Sequence, residues 1–145
     1  MLFTKVRDVK SPSRGTSESA GLDFYVPNDF ETVHLAPGGS VNIPSGIKVI
    51  IPYGFSGNFY NKSGIGKKGL LVGACVVDSD YRGEVHLNVH NVSMDLITIE
   101  PGMKLVQMLI QPVIIQNPME ITNKVFDKQA NTERGEGGFG STGGF

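Results

Sequence analysis

Two aspartates stand two residues apart at Asp78 and Asp80, and Tyr81 follows directly. In an extended strand that spacing puts both carboxylates on one face; in a turn the same residues cap backbone amides. A carboxylate held within about 2.6–3.2 Å of a water can take its proton, the work of a general base. Asp23, just after Ala20-Gly21, reads by itself as a turn aspartate at the start of a strand. Lys62, Ser63 and Gly64 lead into Lys67 and Lys68. The backbone amides of a Ser-Gly turn form a nest for an anion, and the serine hydroxyl can donate to a phosphate oxygen; the lysine pair by itself reads as a solvated surface. Gln107 carries an amide able to donate to the same kind of oxygen. Near the C-terminus Arg134 offers a planar fork that matches phosphate bidentately. It opens a glycine run, with Gly137, Gly138 and Gly140, that also holds Phe139, Ser141 and Thr142. Glycines let backbone amides approach an anion closely, and the hydroxyls add donors.

The elements that must position these groups read as strands. No window of eleven or more residues has helical periodicity; short β-branched and aromatic runs sit between Gly, Pro and Asn/Asp clusters instead. The expected strands are Thr4–Val9, Leu22–Val26, Val33–Leu35, Ser40–Ile43, Ile47–Ile51, Ser56–Tyr60, Leu71–Val77, Glu84–Val92, Leu96–Glu100 and Leu105–Ile115. The clearest alternation is Val85, Leu87 and Val89 against His86, Asn88 and His90, a half-buried strand with one wet face. Turn chemistry at Pro37-Gly38-Gly39, Pro44-Ser45-Gly46, Pro52-Tyr53-Gly54 and Pro101-Gly102 separates the runs. Many short strands at regular spacing predict an all-β sandwich or jelly roll. After Val125 the chain turns polar and then glycine-rich. This divides it into a core over 1–126 and an arm over 127–145, expected to be disordered until a ligand orders it.

Composition bounds the function. A chain of 145 residues with 39% hydrophobic and 19% charged residues can bury a core as one domain. A net charge of −1 leaves no general footprint for nucleic acid, so an anionic ligand must be met by local cations. No apolar run is long enough for a membrane span, and the first residues do not form a signal peptide, so a cytoplasmic protein is expected. A single cysteine, Cys75, excludes an internal disulfide framework and argues against a cysteine-based zinc site.

Five segments taken together carry a resemblance. They are Ala20-Gly21-Leu22-Asp23-Phe24, the stretch from Asn61 to Gly69, Val77-Asp78-Ser79-Asp80-Tyr81-Arg82-Gly83-Glu84, Pro101 to Gln107, and Arg134 to Gly143. In order and approximate spacing they resemble the five motifs of the trimeric dUTPase family. The resemblance implies a jelly-roll homotrimer whose three active sites each draw on all three chains, and hydrolysis of dUTP to dUMP and pyrophosphate with Mg²⁺. That reaction keeps uracil out of DNA and supplies dUMP for dTMP synthesis. It further implies Asp78 as the base that activates the attacking water, and Tyr81 as a ring packed on the deoxyribose that leaves no room for a 2′-hydroxyl. Hairpin backbone near Cys75 and His86 would read the uracil edge. Asp23 would hold Mg²⁺ largely through water, in keeping with an ion that retains waters and takes few carboxylates beside substrate phosphates. Lys62, Ser63, Gly64, Gln107 and Arg134 would contact phosphates, with Gly140, Ser141 and Thr142 closing over them and Phe139 stacking on uracil.

The chain departs from the family pattern at three places. Lys62 and Lys104 stand where arginine is usual, keeping the charge but losing the fork. Cys75 stands where glycine is usual, beside the expected uracil pocket. The related dCTP deaminases share fold and trimer, but the Asp78-to-Tyr81 segment and the complete arm favour dUTPase. A nucleotide-responsive regulator built on the same fold is the reading from a different class.

Overall fold

The computed structural model of the chain describes residues 1–138. Two compact units divide it at Ile114/Ile115. The first holds the strands β1 (Leu2–Lys5), β2 (Leu22–Tyr25), β3 (Val33–Leu35), β4 (Ser40–Ile50), β5 (Phe55–Asn61), β6 (Leu70–Val72), β7 (Val76–Val77), β8 (Glu84–Asn91), β9 (Ile97–Ile99) and β10 (Lys104–Pro112), with one short helix, α1 (Ser63–Lys67). The second, Ile115–Phe145, contributes helix α2 (Asn123–Gln129) among its described residues. Among the described residues no helix is long and apolar enough to cross a membrane.

The strands form two four-stranded sheets, ordered β1-β4-β8-β6 and β2-β10-β5-β7, and a two-stranded β3-β9 ribbon. All pairings are antiparallel. One core joins the sheets. Ile43, Ile47 and Val49 of β4 and Val85, Leu87 and Val89 of β8 belong to the same buried cluster as Phe24, Phe59, Val106 and Met108 of the other sheet. Phe24 and Phe59 meet edge to face at 5.1 Å between ring centroids, the arrangement the aromatic quadrupole favours. The expected all-β sandwich is therefore what forms, and β8 alternates buried and partly exposed residues as its sequence pattern requires.

Local departures have physical causes. The runs expected as Ser40–Ile43 and Ile47–Ile51 are one strand, β4, carried through Pro44-Ser45-Gly46 by a register shift against β8. Gly46 takes φ +74° there, a conformation glycine adopts without strain. The run expected as Leu71–Val77 breaks into β6 and β7 around Gly73-Ala74-Cys75. The paired residues of the first strand are Leu2–Lys5 rather than Thr4–Val9. β10 stops at Pro112, although apolar character continues through Ile115. Proline has no amide to donate, and Ile114 beyond it is exposed. Both helices are shorter than the window in which helical periodicity can be read. The second unit begins at Ile115, upstream of the 126/127 boundary expected from composition, and α2 spans that boundary.

Candidate functional site

Strand order gathers three of the segments at one end of a sheet. β10 lies between β2 and β5, with Gln107 opposite Asp23 on one side and Tyr60 on the other. Lys104 opens β10, and Lys62 follows the last residue of β5. Asp23 is buried at 4% relative exposure. Lys62 Nζ donates to its Oδ1, and Lys104 Nζ lies 3.2 Å from its Oδ2. Burial alone would push the Asp23 carboxyl up. The hydrogen bonds from Lys62 and Lys104 and their charges outweigh that and hold it below its ordinary value of 3.8. Lys104 is raised in turn, first by its bond to Asp23 and then by the charge of Tyr25. Lys10 and Lys104 flank the Tyr25 ring at 4.9 and 5.8 Å, and the Tyr25 hydroxyl is 2.7 Å from Ser13 Oγ.

Gln107 donates from Nε2 to the Asn61 carbonyl at 2.9 Å. Its side chain explains Gly21: a Cβ there would stand 2.9 Å from Gln107 Cδ, 3.0 Å from its Cβ and closer still to Oε1. Ser63 and Gly64 form the first residues of α1 and are exposed, so the expected Ser-Gly turn is a single helical turn. Lys62 is its N-cap, with its carbonyl accepting from the amides of Ile65 and Gly66 and no side-chain cap. The Ser63 and Gly64 amides that precede them have no partner within the helix. The joint role of Lys62 and Lys104 on one carboxylate went unread in the sequence; the signal was there, since both stand at positions where the resemblance implies arginine.

The third segment lies elsewhere. β7 pairs with β5 at Val77↔Gly57, so Asp78 continues past that pair, toward the start of β5. Asp78 and Asp80 sit in the connection between β7 and β8 rather than on a strand, so they do not share a strand face. Asp78 is exposed, and among the described residues its carboxylate has no hydrogen bond or ion pair within the chain. It lines a cavity of about 200 Å³ with Phe59, Ala74, Val76, Val77, Tyr81, Val85 and His86. The Tyr81 hydroxyl donates to the Glu84 carbonyl at 2.9 Å, and His86 Nδ1 lies 3.1 Å from the same oxygen. Cys75 lies between two lining residues; its thiol donates to the Gly73 carbonyl at 3.3 Å and its own carbonyl accepts from the Phe59 amide. Asn88 steadies the same loop, its Oδ1 accepting from the Ala74 amide at 3.3 Å. His34 and His90 are exposed strand residues.

In the second unit Arg134 donates from Nε to the Gly137 carbonyl at 2.8 Å. Phe139, Gly140, Ser141 and Thr142 lie outside the described residues. Among the described residues no group of three or more His, Cys, Asp or Glu could hold a metal ion. Asp23 is an ionised single carboxylate with an ammonium on each oxygen. It fits a hydrated Mg²⁺ held mainly by phosphates, not an ion ligated directly by the protein.

The chain is 36% identical over 135 residues to the deoxyuridine 5'-triphosphate nucleotidohydrolase of Candida albicans, covering 92% of this chain and 81% of that protein. It is 40% identical over 136 residues to the protein of the same name from Shigella sonnei, covering 91% and 86%. Its fold superposes with a TM-score of 0.83 on a dUTPase of Staphylococcus bacteriophage 80alpha solved with dUpNHpp, at 23% identity and covering 98% and 97% of the two chains. A mutant dUTPase of phage phi11 of S. aureus, described with a structural Mg(II) ion, matches with a TM-score of 0.73 at 22% identity, covering 83% and 95%. The dUTPase family profile matches residues 7–143, and this chain belongs to that family.

Proposed function

We propose that the protein is a dUTP diphosphatase acting as a homotrimer. The observation that carries the catalytic assignment is Asp78: an exposed carboxylate free of partners among the described residues, on the rim of a cavity lined by Tyr81 and His86. Asp78 takes a proton from a water as its oxygen attacks the α-phosphorus. The bond from that phosphorus to the bridging oxygen of the β-phosphate breaks, and pyrophosphate leaves. The Tyr81 ring faces the deoxyribose and rejects a 2′-hydroxyl by crowding. Lys62, Lys104, Gln107 and the first amides of α1 hold phosphate oxygens. Mg²⁺ bound to the phosphates would neutralise their charge, with Asp23 reaching it through water. Arg134 and the arm over 127–145, including Phe139, Gly140, Ser141 and Thr142, close over the nucleotide and exclude water.

The strand register supports a shared site. Asp78 lies one residue beyond the Val77↔Gly57 pair, while Lys62 lies one residue beyond Asn61 at the other end of β5. At about 3.3 Å per residue the two ends are roughly 20 Å apart along the strand. That is too far for Asp78 and the Asp23–Lys62–Lys104 group of one chain to serve one α-phosphate. A second copy must bring its Asp78 to the first copy's phosphate ligands, which an oligomer provides.

The test is pyrophosphate release from dUTP, dCTP, dTTP and UTP with Mg²⁺, for the wild type and Asp78→Asn. Release from dUTP alone, reduced by about 10²–10⁴ in the variant, is expected for loss of a general base. No release from dUTP with any divalent metal would move the weight to a nucleotide-binding regulator, and ammonia release from dCTP to a deaminase.

A further inference from the structure

The residues around Tyr81 are tied to a part of the molecule outside the cavity. Its hydroxyl is folded back onto the Glu84 carbonyl at 2.9 Å, and the same oxygen lies 3.1 Å from His86 Nδ1. One backbone carbonyl thus orients two side chains that line the cavity with Asp78. Gly83 makes the fold-back possible, because a Cβ there would stand 2.5 Å from Tyr81 Cζ and 2.9 Å from Cε2. The Glu84 side chain points the other way. Its Oε1 accepts from the Gly46 amide at 2.7 Å and from Arg7 Nε at 3.0 Å. Arg7 also lies 3.7 Å from Asp29.

Gly46 is the bulge residue of β4, and its peptide is held from both sides. Its carbonyl accepts from the Val6 amide at 2.8 Å while its amide donates to Glu84. A Cβ at Gly46 would stand 2.9 Å from Arg7 Cβ and 2.9 Å from Val9 Cγ1, so the bulge is wedged against the chain around Arg7. Glu84 is the first residue of β8 and pairs with Lys48 just past the register shift. Its side chain therefore sets where β8 begins, and with it the carbonyl that receives Tyr81 and His86.

We propose that Glu84 is a positioning residue for nucleotide selectivity: braced by Gly46 and Arg7, it fixes the carbonyl that aims Tyr81 and His86 into the cavity. This rests on the reading of Tyr81 as the sugar-facing ring. A ring loosened by an ångström stops crowding a 2′-hydroxyl, and displacements of that size carry rate effects of up to about 10²-fold. Arg7 acts at one remove, through the Glu84 carboxylate.

The test compares kcat/KM for dUTP and UTP, and unfolding midpoints, in Glu84→Ala, Glu84→Gln, Arg7→Ala, Tyr81→Phe and the Glu84→Ala/Tyr81→Phe double variant. Glu84→Ala is expected to lower the dUTP:UTP ratio about tenfold. Glu84→Gln, which keeps an oxygen for the Gly46 amide, is expected to restore most of it. Tyr81→Phe lowers the ratio too, and the double variant falls no further, because both changes break the same linkage. A Glu84→Ala protein that unfolds earlier but discriminates like the wild type overturns the proposal, as do effects that multiply in the double variant. Should Glu84→Ala fail to fold, Arg7→Ala with and without Tyr81→Phe makes the same comparison, and multiplying effects there overturn it equally. A wild type that treats dUTP and UTP alike overturns the reading of Tyr81 and the proposal with it; selectivity kept in both wild type and variant overturns the proposal alone.

Discussion

Gly21→Ala tests whether the phosphate end of the site is built by close approach between β2 and β10. The new methyl would stand 2.9 Å from Gln107 Cδ and 3.0 Å from its Cβ, and closer to Oε1. The side chain must leave its place. Doing so breaks the 2.9 Å bond from Nε2 to the Asn61 carbonyl, worth about 0.5–1.5 kcal/mol, and drives Gln107 off its rotamer at about 0.5–1.5 kcal/mol more. Together these predict a loss of about 1–3 kcal/mol, the usual range for an overpacked site. Denaturant unfolding followed by fluorescence or circular dichroism reads the loss. Steady-state kinetics should show a raised KM for dUTP, since Gln107 is displaced from the phosphates. Gln107→Ala in the Gly21→Ala background removes Oε1 and Cδ and leaves, of these three contacts, that with Cβ at 3.0 Å, so the off-rotamer part of the loss, about 0.5–1.5 kcal/mol, should return while the hydrogen bond stays lost and KM stays high. A Gly21→Ala protein as stable as the wild type, or a double variant no more stable than Gly21→Ala, would refute the reasoning.

Three further outcomes follow from the geometry. Asp23 has a folded value below its ordinary 3.8, so the stability it contributes is present above that ordinary value and is lost as pH falls through the lowered one; acid unfolding profiles of wild type and Asp23→Asn should therefore be fully separated above pH 3.8 and draw together as pH falls from there through the lowered value. Gly73→Ala would set a methyl 2.7 Å from His90 Cδ2 and closer to Asn88 Oδ1; unfolding should show a loss of about 1–3 kcal/mol, with dUTP affinity reduced through the displaced Ala74 loop. Truncation after Glu133 removes Arg134 and the glycine run but leaves Met1–Ile114, a compact unit by itself; its unfolding free energy should change by less than about 0.5 kcal/mol while pyrophosphate release from dUTP falls sharply.

Much of this molecule was legible in its sequence because the signals are local. The β8 alternation from Val85 to Val89 depends only on neighbouring residues and the period of a strand, and it appears as read. The turns at Pro37-Gly38-Gly39 and Pro52-Tyr53-Gly54 rest on the backbone limits of Pro and Gly, and Gly38 and Gly54 take positive φ there. Asp78, Tyr81 and His86 lie within nine residues of chain, on the β7–β8 connection and the start of β8, so their grouping needed only that connection, although β7 and β8 belong to different sheets. What the sequence could not decide depends on contacts between distant segments. Asp23 meets Lys62 across 39 residues only because β10 lies between β2 and β5. Glu84 reaches Arg7 across 77 residues only because β1 and β8 both flank β4. The merger of two expected strands into β4, and the stop of β10 at Pro112, likewise follow from which neighbours supply hydrogen bonds. Residue type determines which chemistry a side chain can perform. Sheet order and register, set by how apolar faces close on one core, decide which side chains perform it together.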